Sequence, residues 1–598
     1  MGIVDSKVQA MAIGSDYRLA LFACAANSAP VRPGGPRLRS VAGWTIALTG
    51  ALTAGCGGGS AQGAALSQPG TTAPAPAPAP APSPPSTAWP PPAQLTSSPG
   101  SCVTGAIAAL SGSTTYNVGP GQPVTSLTAV PWLSLRPGDV VNVYYQPTPY
   151  ATIIAITAIG TASKPVIING VTDASCNRPI LTGANAVVAA DAVASNYWGQ
   201  NPGSYLTGDG IMNFAWSPND PNHSSPAYIT IQNLEITGAA TGQNYINASG
   251  ATTPWSGAYG IYAVMFGSVT IQNCLIHGND GGVFFNSQDA PRTSTYVTLR
   301  NNTIYGNGRP GSFLEHNVYG QGYRTLYEGN YLGQEIGTAQ GSTLKDRSSG
   351  TVIRYNYIVA SARAIDLVDS ETDPTVIGDP LYPYAWIYGN VIVDDFSLPL
   401  NSSDLIHWGG DSTIYANYRV GTLYFYFNTL VVQNNTVPYN PVGVFDMPLN
   451  SESVEARSNI IYLNNDTGSN SPIGLGICCG TINFDDTNWI STGFATSANN
   501  GGATSSVTVH QNGTLIQGTD PRINPASQFF TLSASSGSPA IGAGMAFPTS
   551  APSPAVSSIV SAANLQPTAQ YANQSATVPF PSIVGRATAA DLGAYAAH

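Results

Sequence analysis

Residues 351–358 read TVIRYNYI. Apolar side chains alternate along them, and an Asn stands just before the final apolar pair. The same template recurs as ITIQNLEI (229–236), VTIQNCLI (269–276), VTLRNNTI (297–304), TLYEGNYL (325–332), AWIYGNVI (385–392), LYFYFNTL (423–430) and VEARSNII (454–461). Asn302, Asn330, Asn356, Asn390, Asn428 and Asn459 fill one slot of it. Period-two alternation, β-branched and aromatic residues, and turns of Gly, Asn and Asp predict strands. Strands that recur mostly at high-twenties to high-thirties intervals, with almost no helical periodicity, predict a solenoid whose coils bury their faces by stacking. An Asn at one slot of successive coils predicts an internal ladder that satisfies turn backbone through its amide. The fold class expected is all-β, a right-handed parallel β-helix. A β-propeller is the alternative, but its blades would be longer, more regular and antiparallel.

Just before this repeat stands Thr343-Leu344-Lys345-Asp346-Arg347-Ser348. The chain has three lysines, Lys7, Lys164 and Lys345. Lys345 beside an Arg, in a surface of Asn, Ser, Thr, Gly and Tyr, is the first place to look for chemistry. Matching the strands that precede each repeat aligns Asn317-Val318-Tyr319, Thr343-Leu344-Lys345, Asp366-Leu367-Val368 and Ile406-His407-Trp408. Val318, Leu344 and Leu367 then point inward. Asn317, Thr343 and Asp366 form one outward column, and Tyr319, Lys345, Val368 and His407 the next. Coils about 4.8 Å apart put Lys345 one coil from Tyr319 and Asp366 and two from His407. A one-residue slip would turn all of them inward.

The rest of the chain sets the context. Charged residues make up 9% of its 598 residues, with 64 Gly, 47 Pro and a net charge of −11. No basic face is available for nucleic acid. Arg32, Arg37 and Arg39 precede an apolar run (41–55) of signal-peptide size, and Leu-Thr-Ala-Gly-Cys56 reads as a bacterial lipobox. Residues 1–56 are therefore expected to be a signal peptide of lipoprotein type, with an ordinary cleaved signal as the alternative. Residues 57–100, rich in Gly and then in Ala-Pro repeats, are expected to be an extended spacer. Residues 101–598 are expected to be the β-helix domain. Cys102 and Cys176 could pair in an oxidising compartment, although sequence alone does not fix connectivity.

LSLRPGDVVNVYY (133–145) followed by GTASKPVIING (160–170) resembles the opening coils of parallel β-helix polysaccharide lyases. DPRINP (520–525), SPAIGAG (538–544) and DLGAY (591–595) resemble closing coils. The Lys345 stretch is similar to the family of chondroitinase B and the β-helix alginate lyases. The resemblance implies that Lys345 is the base and that calcium, held by Asn and Glu ligands, neutralises a uronate carboxylate. Glu335 stands where such a Glu could be matched, and no metal ligand set is assigned. The family's Arg-His-Gly strand reads Asp366-Leu367-Val368 here, which leaves Arg347 or His407 to supply the positive charge.

β-Elimination needs a neutralised carboxylate, a base and a proton donor to the leaving oxygen. The expected catalytic set is Lys345, Arg347, Tyr319 and His407, with His316, Asn317, Asp366 and Trp408 as substrate contacts. The competing reading makes Lys-Asp-Arg a surface ion network at a turn. The function expected is a polysaccharide lyase, exported to the cell envelope or outside the cell, acting as a monomer on an acidic polysaccharide. The alternatives are a non-catalytic glycan-binding solenoid and a glycoside hydrolase, which would need two carboxylates across a groove.

Overall fold

The computed structural model describes residues 89–95, 102, 104–195, 209–215, 226–264, 266–287, 295–370, 373–400, 402, 404–435, 443–465, 473–497, 507–524, 530–547, 554–572 and 581–597. The signal segment and most of the spacer lie outside these residues.

The chain is a right-handed parallel β-helix. Among the described residues, three long sheets of 13, 14 and 11 strands run along it. One turn of the coil shows the order. Tyr331–Leu332 lies in the 11-stranded sheet, Ser342–Asp346 in the 14-stranded sheet, Thr351–Arg354 in the 13-stranded sheet, and Tyr357–Val359 returns to the 11-stranded sheet. Pairing along these sheets is parallel, apart from an edge hairpin, Asn244–Ile246 with Thr252–Pro254. The inward side chains of all three sheets, among them Val318, Leu344, Ile365, Ile406 and Phe445, join one core.

The Asn ladder runs through the bend between the 13- and 11-stranded sheets. Asn302, Asn330, Asn356, Asn390, Asn428 and Asn459 each donate from Nδ2 to the Oδ1 of the next Asn, at 2.9–3.3 Å. The last donation goes to Asn488, which extends the ladder one coil beyond the sequence reading. All are buried, and each amide also caps a backbone carbonyl, as Asn356 caps Tyr327. Buried polar groups are thereby paired at every coil. Cys102 and Cys176 form a disulfide near the start of the domain.

Two segments depart from the sequence reading. The residues expected to close the solenoid as its last coils instead run back along its outside. Phe547, Val556, Val560, Leu565 and Ile583 pack on Leu326, Val352, Trp386 and Tyr424 of the 13-stranded sheet. Phe530, Leu532, Tyr571, Leu592 and Tyr595 pack with Tyr357, Val391 and Ile460 of the 11-stranded sheet. The end of the spacer joins the first group. Trp89 packs there and donates from Nε1 to the Gly350 carbonyl at 2.8 Å, while Arg354 donates to the Pro91 carbonyl at 2.9 Å. The reason lies in the outward residues of those two sheets. They are large and apolar, so burying them is favourable, at roughly 25 cal/mol per Å². Neither covering cluster includes a residue of the 14-stranded sheet. The outer face of that sheet carries the polar column.

Candidate active site

Seven successive strands of the 14-stranded sheet place Tyr262, Phe284, Tyr319, Lys345, Asp366, His407 and Asp446 directly beside one another. The column has two halves. In the first, Tyr262 and Phe284 stack with centroids 4.8 Å apart, and Phe284 and Tyr319 at 5.1 Å, with ring planes within 6°. His316 continues the stack against Tyr319 at 5.4 Å. The rise between coils, about 4.8 Å, is close to a ring-stacking distance, so aromatic residues in register stack without adjustment.

The second half is a desolvated ion network. Lys345 Nζ donates to Asp366 Oδ2 at 2.8 Å and to Asp411 Oδ2 at 2.5 Å. Arg347 meets both oxygens of Asp411, Nη1 at 2.8 Å from Oδ1 and Nη2 donating to Oδ2 at 3.0 Å. Arg347 Nε also donates to the Tyr319 hydroxyl at 3.0 Å, which joins the two halves. His407 Nδ1 lies 2.9 Å from Asp366 Oδ1. Arg363 pairs with Asp404.

The electrostatics follow from burial and pairing. Burial would raise the Asp366 carboxyl, but Lys345, Arg363 and His407 hold it well below the usual range. Asp411 is likewise held down by Lys345 and Arg347 against its burial. Burial would lower His407, but its hydrogen bond to Asp366 and the charge of Asp446 push it up to about 9. His407 is thus an imidazolium at neutral pH, with Nδ1–H donating to Asp366. Burial pushes Glu452 up to about 8. Its Oε2 accepts from the Leu449 N–H at 2.9 Å, and its Oε1 has no hydrogen-bond partner among the described residues. That oxygen presses on Gly409, where a Cβ would lie 2.1 Å away and where φ is +137°.

The structure brings Tyr319, Lys345, Arg347 and His407 together as expected, and corrects several details. Lys345 is aligned with Asp366 rather than Val368, because Leu344 pairs with Ile365. A two-residue shift keeps every side chain on its own face, so alternation alone could not reveal it. The Lys-Asp-Arg cluster divides. Asp346 points into the coil, where the Tyr327 hydroxyl donates to it at 2.7 Å and the Thr351 hydroxyl at 2.6 Å. Trp408 does not face a ligand: it is fully buried in the core, opposite Leu367. Asn317 does not either. It ends a second Asn ladder, accepting from Asn307 at 2.9 Å and donating to the Gly333 carbonyl at 2.9 Å. His316 accepts from the Ser342 N–H at its Nδ1, 2.8 Å away, and burial beside Lys345 pushes it down to about 3. It is a neutral wall of the stack. Asp366 is 1% exposed, and its oxygens are taken by Lys345 and His407. It positions those two groups.

Sequence reading missed Asp411 and Asp446. Asp446 could have been found by carrying the Ile406-His407 register one coil further, to Phe445-Asp446. Asp411 lies in the turn after Gly409-Gly410, where no strand periodicity applies.

Loops entering the sheet expose Phe313 and Leu314, and the loop leaving it after Trp408 exposes Ile414, Tyr415 and Val420. No group of three or more His, Cys, Asp or Glu among the described residues could hold a metal ion. Burial raises the Glu335 carboxyl well above the usual carboxylate range, and both of its oxygens are buried without a hydrogen-bond partner among the described residues.

Residues 219–380 match the family model for the right-handed β-helix region. Among solved structures, the chain is similar to an alginate lyase from Paenibacillus sp. str. FPU-7, with 13% identity and a TM-score of 0.33, over 68% of this chain and 98% of that one. It is similar to pectate lyase Pel9A, with 13% identity and a TM-score of 0.35, over 81% and 96%. It is also similar to a GH136 lacto-N-biosidase from Eubacterium ramulus, with 12% identity and a TM-score of 0.31, over 68% of each chain. No curated protein matches the chain.

Proposed function

We propose that this protein is an exported carbohydrate-active enzyme that cleaves an acidic polysaccharide by β-elimination. The substrate lies along the outer column of the 14-stranded sheet, and the protein acts as a monomer. One observation carries the reading: Lys345 and Arg347 converge on a single carboxylate, that of Asp411, and together hold both its oxygens. The pair is a carboxylate cradle, and a uronate carboxylate has the same planar two-oxygen shape.

Within this reading Lys345 is a cation rather than the base. An ammonium donating to Asp366 and Asp411 has no lone pair to accept a proton. Arg347 shares the substrate carboxylate, and Tyr319, bonded to Arg347, fixes the ring beside it. The His407 imidazolium is the proton donor to the leaving oxygen.

A specific observation favours hydrolysis as the second reading. Lys345, Arg347, Arg363 and His407 already have carboxylate partners. Among the described residues of the column, each of these positive charges is already matched, and a neutral glycan would fit this balance. The two readings separate on products. The full-length protein is incubated with alginate, pectate and glycosaminoglycans, with and without calcium, and both ultraviolet absorbance and reducing ends are followed. Elimination yields absorbance and reducing ends in step, and Lys345→Met abolishes both. Reducing ends without absorbance would replace elimination by hydrolysis. Binding without turnover would replace both with a glycan-binding solenoid.

A further inference from the structure

We propose that the Asp411 side chain is a placeholder for a substrate carboxylate. A uronate displaces it from Lys345 and Arg347, and this exchange selects acidic sugars over neutral ones. The inference rests on the cleavage reading above. It deepens that reading by naming what the cradle holds before substrate arrives and which sugars it refuses.

The two cations do not depend on Asp411 for their positions. Lys345 Nζ also donates to Asp366 Oδ2 at 2.8 Å. Arg347 Nε donates to the Tyr319 hydroxyl at 3.0 Å, and its Nη1 donates to the Asp369 carbonyl at 2.6 Å. Each cation therefore keeps a second anchor when the Asp411 carboxylate leaves.

The turn that carries Asp411 is likewise pinned without that side chain. Asp369 accepts from the Asp411 N–H at 2.9 Å and from the Ser412 hydroxyl at 2.6 Å. The Tyr418 hydroxyl donates to the Ser412 carbonyl at 2.6 Å. Only the carboxylate has to move, by rotation about its Cα–Cβ bond, and the loop beyond it stays. Asp411 is partly exposed where Lys345 and Arg347 are buried, which places the occupant of the cradle on its solvent side.

Charge decides the exchange. Without Asp411, Lys345 is left to share Asp366 with His407, and buried charge that lacks a partner is costly. A uronate carboxylate restores the lost charge and offers the same planar pair of oxygens. A sugar hydroxyl brings no charge, so a neutral glycan leaves Asp411 in place.

The test compares the full-length wild type with Asp411→Asn and Asp411→Ala. Binding is measured with oligosaccharides from alginate and pectate, and with the same oligosaccharides after their carboxyl groups are reduced to alcohols. Asp411→Asn should bind the acidic forms about tenfold more tightly than wild type, because an occupied cradle weakens apparent affinity by the fraction of molecules in which it is open. Its affinity for the reduced forms should equal that of wild type. Asp411→Ala supplies a readout that needs no polysaccharide. Sodium acetate should raise its melting temperature, sodium chloride at equal ionic strength should not, and wild type should respond to neither. Acidic oligosaccharides bound no more tightly by Asp411→Asn than by wild type would overturn the exchange, as would an Asp411→Ala melting temperature indifferent to acetate. Cleavage by wild type in either case would leave the cleavage reading standing. Acidic oligosaccharides bound by neither wild type nor Asp411→Asn would overturn both.

Discussion

The two halves of the outward column share a backbone and differ in everything else. Tyr262, Phe284 and Tyr319 occupy the same rungs of the same sheet as Lys345, Asp366, His407 and Asp446. In the first half, neighbours satisfy one another by stacking, and any one ring could be lost without stranding a charge. In the second, each buried charge depends on a neighbour of opposite sign, because an unpaired ion in this setting is costly. The solenoid fixes where side chains stand, and their chemistry decides whether a rung is tolerant or brittle.

The largest expected effect breaks the brittle half. Asp366→Ala removes the carboxylate shared by Lys345 and His407 and leaves two buried cations short of a partner. Chemical denaturation should show a loss of about 3–5 kcal/mol, and His407 should titrate at a lower pH. A loss under 1 kcal/mol would mean that water already screens the network.

Next comes the pH dependence of stability. The folded value of His407, about 9, lies above its unfolded value, so its contribution is complete below pH 6.5 and is lost as pH rises through 9. Glu452, raised to about 8, acts in the same direction, because the unfolded chain releases that proton near 4.5. His316, pushed down to about 3, acts oppositely: its contribution is present above 6.5 and is lost as pH falls towards 3. Unfolding followed from pH 6.5 to 9 should therefore show declining stability, with a His407 share on the order of 3 kcal/mol at most. His407→Gln should flatten that decline.

Smaller effects are expected in the tolerant half. Phe284→Ala removes two stacked contacts and should cost about 1–3 kcal/mol by denaturation, with the His407 titration unmoved. A shifted His407 titration would show that the halves are energetically coupled. Tyr319→Phe keeps the stack and deletes only the hydroxyl that accepts from Arg347. It should cost about 1 kcal/mol or less.

Much of this was legible in the sequence, for a physical reason. Strand alternation and the Asn slot report burial, and burial is what the solenoid repeats. The β-helix and the ladder from Asn302 to Asn459 could therefore be read from residue order, as could the outward placing of Tyr319, Lys345 and His407. What escaped depended on corners and on register in steps of two. Asp411 stands in a turn, Asn317 was recruited to a ladder by its loop, and Trp408 shows that the residue after an outward His faces the core. The segments 520–525, 538–544 and 591–595 read as closing coils because short apolar stretches suit either role. Only the large apolar outer faces of the 13- and 11-stranded sheets, such as Trp386 and Tyr388 with Tyr426, decide that they fold back as a cover.

The account rests on the outer face of the 14-stranded sheet being where a glycan is bound. A crystal structure of the protein with an acidic oligosaccharide bound tests this most directly. The account predicts sugar density along the rungs from Tyr262 to Asp446, with a uronate carboxylate at Lys345 and Arg347. Oligosaccharide bound at another face, with the Lys345–Asp411–Arg347 contacts undisturbed and the column bare, would contradict it and leave the charged half as a structural network.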